Sequence, residues 1–220
     1  MFTITEVYNN IPFREGLTTD WGFSCLVEEG GLLFDTGAKG DVLTSNMRAL
    51  GIDPAKIRSV VLSHDHHDHV GGFASILDAN PGVEVFVHSA FSRETLERIS
   101  DLTAPQIVRG WTEVTDGVAV TGPLGTTVQE QSLVLTTPAG YLIITGCAHP
   151  HIARIIERVS QEGRVRGVIG GLHSLSPRDL KELARLDCIS ASHCTENIAH
   201  LQERYPASFR AGGVGCVHRV

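Results

Sequence analysis

Between Leu62 and Gly72 the chain reads Leu62-Ser63-His64-Asp65-His66-His67-Asp68-His69-Val70-Gly71-Gly72, and every residue from His64 to His69 carries a side chain that can ligate a metal ion. His64 and His66 are two apart, so both imidazoles can reach one ion. Asp68 and His69 come later, placed for a second ion or for a water on the first. Neutral imidazoles with a carboxylate suit zinc, with manganese, iron and nickel as competitors. The run Ser59-Val60-Val61-Leu62 before the cluster reads as a buried strand, and the glycine pair after it reads as a tight turn into a helix. The cluster is therefore expected on a loop, free of helical or pleated periodicity. A solvated loop of idle histidines would give no reason for this order directly after a buried strand.

Later histidines stand in the same kind of place. Leu142-Ile143-Ile144-Thr145 reads as a strand, followed by Cys147 and His149 and a helix from Pro150. Val165 to Ile169 is followed by His173 and a helix capped by Ser176, with Pro177 first and Asp179 third. Cys188 to Ala191 is followed by His193 and a helix opened by Thr195-Glu196. Asp35 closes the apolar run Leu32-Leu33-Phe34. Positions between a strand and the next helix gather outside the carboxyl ends of the strands. This pattern predicts that all the candidate ligands share one crevice.

The elements that must position them are also legible. Phe2 to Tyr8 reads as a strand. Phe23 to Glu28 and Leu32 to Asp35 form a hairpin about Glu29-Gly30-Gly31, and Ser132 to Thr137 and Tyr141 to Thr145 form another about Pro138-Ala139-Gly140. Helices are expected from Asp41 as cap to Leu50, from Gly72 to Asp78, and from Ser89 to Ser100. Two strand-rich stretches, each followed by strand–helix alternation, predict an α/β (α+β) chain of two mixed sheets packed face to face with helices outside. Neither a linker nor a low-complexity segment divides residues 1–220, so one domain is expected. The loops Asn9 to Asp20 and Leu102 to Thr127 are expected to shape the pocket. Gly122-Pro123-Leu124-Gly125-Thr126-Thr127 lacks the lysine of a phosphate loop and is not read as one. His88 is expected to be structural, and His151, His200 and His218 to lie on the surface or on helices.

Bulk properties narrow the function classes. A net charge of −7 with histidine neutral argues against a nucleic-acid groove, and no apolar stretch approaches a membrane span. The first residues lack the basic and apolar regions of a secretory signal. The five cysteines, Cys25, Cys147, Cys188, Cys194 and Cys216, form no Cys-x-x-Cys pair. Their odd number points to free thiols in a reducing, cytoplasmic setting. Cys25 and Cys188 read as core residues, while Cys147 and Cys194 flank candidate ligands.

His64-x-His66-x-Asp68-His69, with Asp35-Thr36-Gly37 upstream, resembles the signature of the metallo-β-lactamase superfamily. Trp21-Gly22-Phe23-Ser24, Thr145-Gly146-Cys147-Ala148-His149-Pro150, Gly170-Gly171-Leu172-His173 and Ser192-His193-Cys194-Thr195 resemble its dihydropterin-ribofuranosylaminobenzene-phosphate synthase-like branch. The resemblance implies the four-layer αβ/βα sandwich and a pair of divalent ions. It implies His64, His66 and His149 around the first ion, Asp68, His69 and His193 around the second, and Asp35 as the residue that orients ligands. Many relatives carry Gly-Asp where this chain has Gly146-Cys147, with the aspartate bridging both ions. Here either Cys147 bridges as a thiolate or water does. His173 has three readings: a metal ligand, a substrate contact acting as acid or anion donor, or a core residue in a Gly-Gly turn.

The expected activity is hydrolysis of a phosphoester or small ester by metal-activated water, with Asp68 and His173 as the catalytic side chains. Two alternatives stand beside it. One is a transferase joining a pterin to a ribosylated aminobenzene phosphate, as the branch implies. The other is a metal-binding protein without catalysis. The expected partner is a small-molecule substrate.

Overall fold

The computed structural model describes residues 1–220. One seven-stranded sheet contains β1 (Thr3–Asn9), β2 (Phe23–Val27), β3 (Leu32–Phe34), β4 (Ser59–Val61), β5 (Glu84–His88), β6 (Gln106–Val108) and β13 (Val217–Arg219), in the order β13-β1-β2-β3-β4-β5-β6. The second, six-stranded sheet contains β7 (Thr112–Thr115), β8 (Val118–Val120), β9 (Leu133–Thr137), β10 (Gly140–Thr145), β11 (Val165–Gly171) and β12 (Cys188–Ser192), in the order β12-β11-β10-β9-β8-β7. Each sheet has an antiparallel side made of hairpins and a parallel side, β3 to β6 in one and β10 to β12 in the other. Both expected hairpins form, with Val27 opposite Leu32 and Thr137 opposite Gly140.

Residue alternation explains the layers. In β10, Leu142 and Ile144 face the other sheet, sharing a core cluster with its Phe34 and Val61, while Ile143 faces outward onto the helices. In β3, Leu32 and Phe34 point inward and Leu33 outward. Both sheet faces are covered, so these strands read as continuous apolar runs. Truncating Ile144 to alanine in this packed middle layer would cost about 2–5 kcal/mol.

Helices α1 (Gly40–Leu50), α3 (Phe73–Ala79) and α4 (Arg93–Ser100) cover the first sheet through Leu43, Met47, Phe73, Ile76 and Ile99. Helices α5 (Ile152–Val159), α6 (Pro177–Leu183) and α7 (Ile198–Arg204) cover the second through Ile152, Ile155, Val159, Leu183 and Leu201. The chain is thus the expected four-layer sandwich. No helix is long and apolar enough to cross a membrane.

Several helix starts differ from the sequence reading. Asp41 lies inside α1, whose N-cap is Lys39, and its carboxylate accepts from Val42 N–H. Helices α4, α5 and α7 begin two to four residues later than expected, because Ser92, His151 and Asn197 occupy the N-cap positions. Ser176 and Asp179 form the expected reciprocal capping box.

Candidate metal centre

The parallel strands of both sheets deliver polar side chains to one edge: β3 ends before Asp35, β4 before the His64–His69 segment, β10 before Cys147 and His149, β11 before His173 and β12 before His193. Asp35, His173 and His193 have φ of 56°, 52° and 53°, and Ala148, before His149, has 55°. A non-glycine residue there costs of order 1–3 kcal/mol and persists only where its surroundings fix it. Here the left-handed turn leaves the pleat at the point where each side chain enters the crevice.

The histidine segment is not all loop. His67–Val70 forms a single helical turn, α2, with His66 at its N-cap. Asp68 and His69 are therefore aimed by helix geometry. The following glycines have right-handed dihedrals, so they are not there to make a left-handed turn. A Cβ at Gly71 would lie 2.1 Å from Ala38 O, and one at Gly72 would lie 2.2 Å from Thr36 O. The glycines let α2 press against the loop after β3, and Thr36 N–H donates to His69 O at 2.8 Å.

Two donor groups result. His64, His66 and His149 offer atoms that all lie within 4.8 Å of one another, and so do Asp68, His69 and His193. His64, His66 and His149 thus gather at one place in the crevice, and Asp68, His69 and His193 at another. Cys147 lies between them: its Sγ is 3.3 Å from His69 Nε2, and it groups both with His64 and His69 and with His193 and Cys194. His173 is exposed at the mouth, its ring centroid 4.9 Å from that of His149.

Hydrogen bonds orient the rings. Asp35 Oδ2 lies 2.7 Å from His69 Nδ1 and accepts from Ser63 Oγ at 2.7 Å, while Asp35 Oδ1 accepts from Ser63 N–H. Ser63 Oγ is in turn 2.9 Å from His64 Nδ1. Because the serine proton is committed to Asp35, His64 Nδ1 is the donor to Ser63, and His69 Nδ1 donates to Asp35. His193 Nδ1 donates to Asn10 Oδ1 at 3.0 Å. These tautomers, inferred from the network, leave the Nε2 lone pairs of all three histidines facing the crevice.

The lone pairs have little to meet there. His149 Nε2 and His193 Nε2 are buried without a hydrogen-bond partner, although Asp68 Oδ2 lies 3.3 Å from the latter. His64 Nε2 faces His66 Nδ1 at 3.0 Å. Burial first, and then neighbouring imidazoles, hold His64 well below its ordinary value and push His149 down to about 4. Burial also lowers His66 and His193. Desolvation would raise the Asp68 carboxyl, but the adjoining imidazoles of His193 and His69 hold it far below the carboxylate range. His69 is shifted the other way: its burial disfavours the charged ring, but the Asp35 carboxylate raises it. Neutral donors at His64, His66, His149 and His193 beside an ionised Asp68, with buried nitrogens left unpartnered, are what divalent cations would satisfy.

Glu130, which no motif singles out, is fully buried and holds the second sheet's contribution in place. Its Oε1 accepts from the N–H groups of Gly146, Cys147 and Ala148 at 3.0–3.1 Å, and its Oε2 from His149 N–H at 3.0 Å. An isolated glutamate between Gln129 and Gln131 carries no periodic or motif signal. Asn10, from the Asn9–Asp20 loop, and Trp21, whose ring centroid is 5.0 Å from His193, also border the site. From the second expected loop, Gly125 to Val128 line a cavity of about 310 Å³ with His149.

Other histidines stand apart. His67 is exposed, and Asp65 accepts from Ser92 N–H at 2.9 Å. His88 is buried edge-on to Phe91, as a structural residue would be. His151 and His200 are exposed. His218 is not on the surface: it sits in β13, 9% exposed, with Nε2 2.9 Å from Glu6 Oε1. Cys188 is half-buried rather than a core residue.

Comparison with known proteins agrees with this fold. The profile of the metallo-beta-lactamase superfamily matches residues 22–188. The 7,8-dihydropterin-6-methyl-4-(beta-D-ribofuranosyl)-aminobenzene-5'-phosphate synthase of Methanocaldococcus jannaschii is 26% identical, over 89% of this chain and 87% of that protein. The crystal structure of Tm1679, described as a metal-dependent hydrolase of the beta-lactamase superfamily, superposes with a TM-score of 0.84 at 24% identity, covering 100% of this chain and 99% of that one. The structure of Zn(2+)-bound PqqB from Methylobacterium extorquens superposes with a TM-score of 0.65 at 12% identity, covering 99% of this chain and all of the other.

Proposed function

Because the chain belongs to the metallo-β-lactamase superfamily, we propose that it is a metal-dependent hydrolase acting on a phosphoester or small ester. The observation that carries this reading is the pair of donor groups, His64–His66–His149 and Asp68–His69–His193, side by side with buried Nε2 atoms left unpartnered. These residues would hold divalent ions, and the donor set suits zinc. When bound, divalent ions supply Lewis acidity, which acidifies water and polarises a substrate oxygen.

The chain's own groups do the rest. Asp68, kept ionised, accepts a hydrogen bond from the attacking water, orients it and takes up its proton. Asp35 and Ser63 fix the rings of His69 and His64. Glu130 pins the Gly146–His149 turn. His173, at the mouth, donates toward the substrate oxygen that gains charge. Cys147 stands where a thiolate would reach both donor groups.

The test is metal content by elemental mass spectrometry on protein purified without added metal, with turnover of phosphodiesters and esters before and after chelation. At least two equivalents, with activity lost to chelator and restored by zinc, manganese or iron, is expected. Activity indifferent to chelation would overturn the reading.

A second reading is favoured by the likeness to the M. jannaschii synthase over most of both chains: transfer of a pterin unit to a ribosylated aminobenzene phosphate. It is separated by incubating the protein with both substrates and following the coupled product by mass spectrometry.

A further inference from the structure

We propose a second, separate metal site, for zinc, formed by Glu6, Cys216 and His218 where the first and last strands of the chain meet. A carboxylate oxygen, the Cys216 sulfur and a ring nitrogen lie within 4.8 Å of one another there. Glu6 is fully buried, Cys216 is 4% exposed and His218 9%. These residues belong to neither donor group of the crevice, and their types are those of mixed zinc sites.

The surroundings leave a place for the ion. Ser190 Oγ is buried with no hydrogen-bond partner. A Cβ at Gly212 would lie 2.8 Å from Glu6 Oε1 and 2.9 Å from Ser190 Oγ. Gly212 has no left-handed φ, so a side chain is missing there for reasons of space. The carboxylate is divided in its duties: Oε2 accepts from Asn9 Nδ2 at 2.7 Å and from Gly213 N–H at 3.1 Å, while Oε1 faces His218 Nε2 at 2.9 Å. Cys216 Sγ has a single contact, to Ala211 O at 3.4 Å.

Charge and distance both suit zinc. A carboxylate, a thiolate and a neutral imidazole around a dication sum to no net charge, so the buried site would carry no uncompensated charge with the ion in place. Donor atoms 2.0–2.3 Å from a tetrahedral zinc are about 3.3–3.8 Å apart. The three donors need shift only by tenths of an ångström to somewhat over one ångström to reach that spacing. Binding exchanges the Cys216 thiol proton, and the proton between Glu6 and His218, for the ion. Ser190 Oγ or a water completes the fourth position. Such an ion would staple the three-residue strand β13 to β1. It would also steady Asn9, whose neighbour Asn10 holds His193.

The experiment uses the Cys147→Ser/Cys194→Ser protein, so that no crevice thiol contributes. It is loaded with Co2+ and read for thiolate-to-cobalt charge-transfer absorption, and zinc is counted in parallel. The band is expected in this background and should vanish when Cys216→Ser is added, with the loss of about one equivalent of zinc. His218→Gln should lose the same equivalent, which keeps the test decisive if the Cys216 variant does not fold. Absence of the band from the background protein, or an unchanged zinc count in both variants, would overturn the proposal.

Discussion

The two sheets furnish the crevice in opposite ways. The first supplies His64, His66, Asp68 and His69 from one short segment after β4, and the second supplies Cys147, His149, His173 and His193 one connection at a time. In the first, local chain geometry sets the spacing: a bend through His64–His66, then one helical turn aiming Asp68 and His69. In the second, spacing is set by the distances between β10, β11 and β12, which are hydrogen-bonded neighbours. A compact motif concentrates risk in few residues. A dispersed set spreads it, and needs supports such as Glu130 and Asn10.

The largest effect should separate the two arrangements. His64 belongs to two donor groupings, with His66 and His149 and with His69 and Cys147, whereas His149 belongs to one. His64→Ala should therefore strip metal from both clusters and lower activity by about 100-fold or more. His149→Ala should remove about one equivalent and leave the Asp68–His69–His193 group loaded. Equal losses in the two variants, read by elemental analysis, would break the comparison.

Next comes the support under each half. Asp35→Asn disturbs the rings of both His69 and His64, and metal affinity should fall by roughly 10- to 100-fold, as for other residues that orient ligands. Competition with a chromophoric chelator measures this. Glu130→Gln should act on stability instead. It replaces a buried carboxylate that accepts from four backbone N–H groups by an amide that can turn only one oxygen to them. A loss of about 2–3 kcal/mol in urea unfolding is expected.

Acid should expose a difference outside the crevice. Burial holds His88 down to about 4, against an ordinary 6.5. The unfolded chain therefore takes up a proton that the folded chain refuses. The stabilisation is complete above about pH 6.5 and is lost as pH falls toward 4, at about 1.4 kcal/mol per pH unit at most. His88→Gln should flatten that slope in denaturation curves, while an unchanged slope would place the proton uptake elsewhere. The smallest effect expected is Gly72→Ala. Its Cβ meets Thr36 O, so α2 must shift and about 1–3 kcal/mol should be lost.

Much of the fold was legible because strands covered on both faces are continuous apolar runs punctuated by glycine and proline. Both hairpins, the Asp53-capped turn at Pro54–Lys56 and the capping box of α6 follow from local chemistry. Helix starts were less legible. The left-handed residues Ala148 and His151 delay α5 until Ile152, and nothing in their side chains announces that conformation.

The sequence by itself determined the kind of chemistry. His64 to His69 reads as a candidate metal-binding segment, because covalent spacing alone keeps six possible donors together. It also determined that His149, His173 and His193 lie at strand ends, since the β-to-helix alternation is written in the residues. Tertiary structure alone decided which donors lie together, that Cys147 falls between the two groups, and that Glu130 carries the turn beneath His149. It also decided that His218, apparently a surface residue near the end of the chain, is buried against Glu6. The reason is the same in each case. These contacts join residues tens to hundreds of positions apart, and their distances are set by how strands stack and sheets pack, which no local pattern encodes.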